Sequence, residues 1–374
     1  MALVKVQGLL LLLLTAVLLL SISPTGSEVV DSVKDCPEFF LQQTPPNIPG
    51  VLENGNIQDQ NRYKVICQTL SDQRTFVTVY DTENKIPVFS ASRYTISVGK
   101  RPKNPRWLIE PQLEDTRANK NMTKAGSKTY NHQAGDIDYK SQSHFDRGHL
   151  LPSSYGLDQK ATFTLTNVVP QIKSFNQGSW NNMEQCVKCV MDKFCYNNNN
   201  NTEAFVVIGA EPGNTLLNNK VNIPSKMWTA FCCYSNSKQR WLAGAHWDEN
   251  EDKRNTYLQT KTLVELSTDL GKQFDLFHGT RCPLHTTVTE FYSQLNNSCH
   301  CPPPISTTSV PSTSTSNPPT NTFTPASTTS SSLSTASVPV STTSGPSSTT
   351  PAPLSTASVP VSTTSGPSST TPAP

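Results

Sequence analysis

The chain has 374 residues, 30 Lys and Arg against 28 Asp and Glu, a formal charge of +2, and ten cysteines. Lys5 is the one charged residue outside 27–301, so that segment carries +1, too little for a binder that relies on diffuse attraction to phosphates. Any handling of phosphate must therefore be local.

The chain opens with Lys5, the apolar run "GLLLLLLTAVLLLSIS" and the small-residue exit "SPTGS". This order reads as a secretory leader over 1–26, cleaved near Gly26. Residues 27–301 are long enough for one large folded domain. All ten cysteines lie there, as do the sequons at Asn121, Asn200 and Asn296. An even cysteine count behind a leader predicts disulfides, up to five, in a secreted glycoprotein.

Within the domain, "YKVICQTL" (63–70), "TFVTVYD" (75–81) and "IPVFSASRYTIS" (86–97) are β-branched and aromatic runs that predict strands, the last two joined by a hairpin loop at "DTENK". Residues 99–142 are polar and rich in Pro, Asn, Lys and Gly, and predict a long irregular excursion. "ATFTLTNVVPQ" (161–171) predicts a strand broken at Pro170. From Asn176 the apolar residues Trp180, Met183, Val187 and Phe194 recur at helical steps. Strands are expected again at 204–210, 227–234 and 239–247, and a second helix over 263–274. The strands come without regular βαβ alternation, so the class expected is α+β with a mainly antiparallel sheet flanked by helices.

Residues 302–374 contain only uncharged residues, chiefly Ser, Thr, Pro and Ala. The 21-residue unit "LSTASVPVSTTSGPSSTTPAP" begins at Leu333 and recurs unchanged at Leu354. Such a segment buries too little apolar surface to fold, and reads as a disordered, mucin-like, O-glycosylated tail. No hydrophobic stretch follows it, so no membrane anchor is expected from this sequence.

The chemistry is concentrated in two stretches. "SHFDRGHLLPSSYG" (143–156) sets Asp146, Arg147, Gly148 and His149 side by side. His149 suits a general base, Arg147 a phosphate fork, and Gly148 leaves room for a close approach. Asp146 would either fix the imidazole or pair with Arg147. A base alone does not hydrolyse a phosphodiester at a useful rate; positive charge at the phosphoryl group is also needed. "TNVVPQIKSFNQGSWNNMEQ" (166–185) supplies oxygen donors for it in Asn167, Asn176 and Glu184. Asn176 would hold Mg²⁺ without cancelling its charge. If both share one helix, Glu184 lies about 12 Å of rise further on, and suits a metal-bound water better than direct ligation. The plainer reading of this segment alone is an N-capping Asn and a solvent-facing Glu.

Together the two stretches resemble the DNA/RNA non-specific endonucleases, the ββα-metal (His-Me finger) nucleases that include mitochondrial endonuclease G. The resemblance rests on "DRGH" at 146–149, "TNVVPQ" at 166–171 and "NQGSWNNME" at 176–184, and spans roughly 60–290. It implies a ββα-metal core and a Mg²⁺-dependent enzyme (or one using a similar ion such as Mn²⁺) that cleaves DNA and RNA with little sequence preference. By the same resemblance His149 is the general base, Asn176 the one direct protein ligand of the metal, and Glu184 the holder of a metal-bound water. Asn167 supports the histidine or phosphate region, and Arg147 contacts phosphate or shapes the turn. An upstream arginine on the scissile phosphate is also implied. Arg106, beside Trp107, is the first choice and Arg101 the second. Trp180 is expected in the helix core, and His144 outside the chemistry.

Two other readings stand beside this one. "CVKCVMDKFC" (186–195) has the Cys-x-x-Cys start of a zinc site, though in an oxidising compartment disulfides are expected. The domain could also be a silent, nuclease-like binding module on a glycosylated stalk, or the whole chain a structural mucin-like protein.

Overall fold

The computed structural model describes residues 28–302, apart from 97–100, 141, 157, 253–256 and 272–273. The expected leader, and the tail from residue 303 onward, lie outside the described residues.

The principal strands are β1 (Val29–Val30), β2 (Tyr63–Leu70), β3 (Gln73–Asp81), β4 (Ile86–Arg93), β5 (Phe145–His149), β6 (Val168–Ile172), β7 (Ala204–Glu211), β8 (Lys226–Ser235) and β9 (Arg240–Glu249). Seven of them form one sheet in the order β1-β2-β3-β4-β7-β8-β9, and every described pairing between them is antiparallel. β5 and β6 form a separate antiparallel pair, in which His149 faces Val168 and Arg147 faces Pro170.

β7 shows why this sheet sits in the middle of the molecule. Its residues from Ala204 to Ala210 are all buried, with no polar alternation. A strand apolar on both sides must be covered on both sides. Val206 and Ile208 join one buried cluster, together with the β5–β6 pair and the long helix α1 (Asn181–Phe194). Phe205 and Val207 join another, with Phe39, Phe40 and Leu41 near the N-terminus and with helix α2 (Leu263–Leu270). The result is the α+β, mainly antiparallel class expected, built in three layers.

Three local expectations need correction. Pro170 does not break its strand: β6 runs through it. β6 is paired on one side only, so the missing Pro N–H costs no ladder bond. Helical backbone begins at Lys173 rather than Asn176, with an α-turn over Lys173–Phe175 and a π-turn over Asn176–Trp180 before α1. α2 stops at Leu270, because Gly271 takes a φ of 113°. The excursion over 99–142 is irregular as expected, except for a two-residue ladder between Leu108–Ile109 and Thr123–Lys124 and two short 3₁₀ turns.

All ten cysteines are paired, as Cys36–Cys67, Cys186–Cys301, Cys189–Cys299, Cys195–Cys233 and Cys232–Cys282. This removes the zinc reading of 186–195, since none of those three thiols is free to ligate. Three of the bridges anchor α1 or the residue that follows it. Among the described residues no helix is long and apolar enough to cross a membrane.

Candidate active site

The β5–β6 pair leads directly into the helical segment that ends in α1, and a cleft of about 790 Å³ opens between them. Arg101, Asp146, Arg147, His149, Asn176 and Glu184 all line it. Residues separated by 27 and 35 positions in sequence thus meet in one space.

His149 is 9% exposed. Its ring lies 4.8 Å from Phe163, edge-on, and 5.6 Å from Trp107. Burial in this aromatic setting, then the charge of Arg101, pushes the imidazole pKa down to about 3. The ring is therefore neutral at ordinary pH and able to accept a proton. Its Nε2 is buried with no hydrogen-bond partner.

Gly148 owes its identity to close packing. A Cβ there would meet the side-chain oxygen of Gln171 at 2.2 Å and its Cβ at 2.5 Å. Gln171 sits across the pair, opposite Asp146. A side chain at 148 would force β5 and β6 apart and carry His149 with it.

Asn167 is wholly buried and saturated with hydrogen bonds. Its Oδ1 accepts from the backbone N–H of Leu151 and from the Ser90 hydroxyl, both at 3.0 Å. Its Nδ2 donates to the carbonyls of Leu151 and Thr162. Its own backbone carbonyl accepts from Leu150. The amide thus ties the two residues after His149 to strand β4 of the main sheet. It is a positioning residue, with no hydrogen-bonding capacity left for a phosphate.

Asp146 does neither of the two things expected of it. Its Oδ2 accepts from the Asn176 Nδ2 at 2.9 Å and from the Gln177 Nε2 at 2.7 Å. Arg147 pairs instead with Asp136, at 2.8 Å to the carboxylate and 3.2 Å to the carbonyl. The Arg147 guanidinium also lies over the rings of Trp107 and Tyr139, each at 5.3 Å. Nothing in the sequence marks Asp136, which sits in a polar turn eleven residues upstream.

A π-turn with a kink at Gly178 (φ −107°, ψ −109°) lies between Asn176 and Glu184, so the two are not related as residues of one regular helix. Both side chains border the cleft. Glu184 is partly buried, and desolvation raises its carboxyl to about 8 against the opposing pull of Arg101 and the Trp180 indole N–H. The Tyr155 hydroxyl donates to the Glu184 carbonyl at 2.9 Å and fixes the backbone there. Trp180 is buried, and His144 is exposed and away from the cleft lining.

The two candidate upstream arginines, both exposed, are placed differently. Arg101, the second choice, lines the cleft with its guanidinium 5.4 Å from the Phe163 ring. Arg106 is exposed and is not among the lining residues. Both lie in irregular chain, where no periodicity indicates which side chain turns inward. Trp107, on the other hand, does reach the site.

The donors fit a hard, hydrated cation. Because Asp146 captures the Asn176 Nδ2, the opposite end of that amide, Oδ1, is the end left to ligate. Glu184 is a carboxyl whose burial lacks full compensation by positive charge. Among the described residues no group of three or more His, Cys, Asp or Glu stands together.

A strand pair followed by a helix, with a histidine on the first strand and oxygen donors on the helix, is the ββα core of the His-Me finger nucleases. The family model for DNA/RNA non-specific endonuclease matches residues 54–280, and the chain belongs to that family, whose nucleases depend on a divalent metal.

Among individual proteins, it is 31% identical over 215 residues to the Endonuclease domain-containing 1 protein of Homo sapiens, covering 53% of this chain and 39% of that one. It is 34% identical over 106 residues to the mitochondrial Endonuclease G of Bos taurus, covering 26% of this chain and 35% of that one. The chain thus spans less than half the length of the curated relatives it matches. A solved structure of the EndoG/EndoGI complex is similar at a TM-score of 0.42 and 20% identity, covering 57% of this chain and 88% of that chain.

Proposed function

We propose that the protein is a secreted, Mg²⁺-dependent endonuclease that hydrolyses phosphodiester bonds of DNA and RNA with low sequence specificity. One observation carries this reading: a neutral His149, an Asn176 amide turned by Asp146, and Glu184 share a single open cleft.

His149 takes a proton from water as the water oxygen bonds to phosphorus and the P–O3′ bond breaks, leaving a 5′-phosphate and a 3′-hydroxyl. The leaving oxygen regains its proton from solvent. Arg101 offers a charge to the phosphate being cleaved. Arg147, braced by Asp136 and two aromatic rings, adds a second positive charge at the cleft wall. Asn176 would hold the metal through Oδ1, and Glu184 would accept hydrogen bonds from a water on it. When bound, the ion supplies positive charge at the phosphate and the departing oxygen. Contacts of this kind address phosphate and sugar, so they carry no base information. Five disulfides support assembly in an oxidising compartment.

The test is incubation of the purified full chain with plasmid DNA and with RNA, in Mg²⁺ and in EDTA. Cleavage of both substrates in Mg²⁺, none in EDTA, and loss in His149→Ala are expected. Binding without cleavage in every metal tried would replace the enzyme with a binding module. Full activity in His149→Ala would remove His149 as the base.

A further inference from the structure

The cleft continues along α1 beyond the reacting groups. Gln185 and Lys188 line the cleft on one side and a second depression, of about 420 Å³, on the other. Lys188 lies four residues past Glu184, about 6 Å along the helix, within the reach of a neighbouring nucleotide. The Cys189–Cys299 bridge is part of the wall, which makes that wall rigid.

Two features separate this annex from the cleft. The first is charge. Lys188 is paired with Asp192, which also accepts from the Tyr94 hydroxyl. Lys188 is thus paired, as Arg147 is with Asp136, and the annex lining has no arginine, whereas Arg101 and Arg147 both line the main cleft. A phosphate would find little here that Arg101 and Arg147 do not offer better. An uncharged group suits the annex.

The second feature is Tyr257, which lines the annex. It is 61% exposed, the most exposed large hydrophobic side chain among the described residues and the one aromatic in that group. An aromatic face open to solvent, in a depression that shares Gln185 and Lys188 with the cleft, is a stacking platform. Bases in a duplex have their faces covered by their neighbours. An unpaired base offers a free face.

We propose that the annex is a base-stacking subsite, in which Tyr257 takes an unpaired nucleobase flanking the scissile phosphate and so favours single-stranded over duplex substrate. The inference rests on the nuclease reading above for the position of that phosphate.

The test uses the full chain carrying His149→Ala, titrated with a single-stranded oligonucleotide containing 2-aminopurine and with the matching duplex. Adding Tyr257→Ala is expected to weaken single-strand binding about tenfold, to cost the duplex clearly less, and to leave the salt dependence unchanged, because no phosphate contact is removed. Tyr257→Trp is expected to retain the single-strand affinity and to quench the probe. Equal losses on both substrates, or no loss on either, would overturn the subsite. Cleavage by the parent chain with Tyr257→Ala binding normally removes the subsite alone. Tyr257-dependent binding without cleavage removes the nuclease reading and keeps the subsite. No binding of either nucleic acid removes both.

Discussion

The two faces of the central sheet are equally apolar and differ in what they hold open. On the back, α2 and the chain after it leave a groove of about 440 Å³ lined mainly by Leu263, Leu266, Leu270, Phe274 and Leu276. On the front, the cleft of about 790 Å³ is lined by Arg101, Asp146, Arg147, His149 and Glu184. Both faces are tethered by disulfides to β8, through Cys232 at the back and Cys233 at the front. Stability devices are thus shared between the layers, while the front cleft gathers more charged side chains than the back groove, whose lining includes the Asp275–His278 pair. The front face keeps charge partly uncompensated, and the back face does not need to.

Substitutions can pull the two faces apart. The largest effect is expected from His149→Ala, which should lower kcat in a plasmid-nicking assay by about 10²–10⁴, the usual contribution of a general base. Thermal stability should change far less, with a modest loss from the ring contacts to Phe163 and Trp107. The back face predicts the reverse. Replacing Cys36 and Cys67 together by Ser opens a bridge of sequence separation 31 and should cost about 3–4 kcal/mol in denaturant unfolding. The activity of the protein that remains folded should be unchanged.

Asp146→Ala is a subtler break on the front. It frees the Asn176 amide to rotate, and should raise the Mg²⁺ concentration needed for half-maximal activity by about 10–100-fold, with kcat at saturating metal much less affected. Asp146→Asn separates orientation from charge: an amide oxygen can still accept one of the two bonds, so a smaller loss is expected.

The last test lies outside both faces' chemistry and concerns a buried acid pair away from the cleft. Glu28 and Glu110 are both almost fully buried, and Glu28 is pushed up to about 8 by desolvation, with Arg74 and Lys120 pulling the other way. Glu110 is also raised, by desolvation and then by Glu28. Between pH 4.5 and 8 the folded protein keeps a proton at Glu28 that the unfolded chain has lost. Folding stability should therefore fall as pH rises through that window, by at most about 1.4 kcal/mol per unit for each such group. Melting temperatures across it should flatten in Glu28→Gln with Glu110→Gln. A wild-type melting curve that rises with pH over that range would contradict the assignment.

These contrasts also show what a sequence reveals of such a molecule. Its strands were legible because their residues are β-branched and aromatic, and His149, Asn176 and Glu184 because three short motifs occur in order. Less visible was the geometry between them. No residue type announces a π-turn kinked at Gly178, yet such a segment separates Asn176 from Glu184, and both border one cleft. Asp146 looked like a partner for the histidine or the arginine beside it, because sequence neighbours are the only neighbours a sequence displays. Its actual partner lies thirty residues on, and that of Arg147 is Asp136. In the loop holding Arg101 and Arg106, the choice between two arginines depended on which one the aromatic residues Trp107 and Phe163 leave facing inward. Disulfide connectivity had no signal beyond the even count.

The adjacent pair Cys232 and Cys233 has a consequence for the cell that makes the protein. Side chains alternate along a strand, so two successive cysteines on β8 staple opposite layers of the molecule to the same piece of backbone. With Cys186–Cys301 and Cys189–Cys299, they leave α1 held by covalent links that exist only under oxidising conditions. Where thiols stay reduced, the chain would carry every residue of its cleft but lack the clamps that hold the helix in place. For the secreted nuclease proposed above, the cleft would thus stay unclamped until the chain reaches an oxidising compartment.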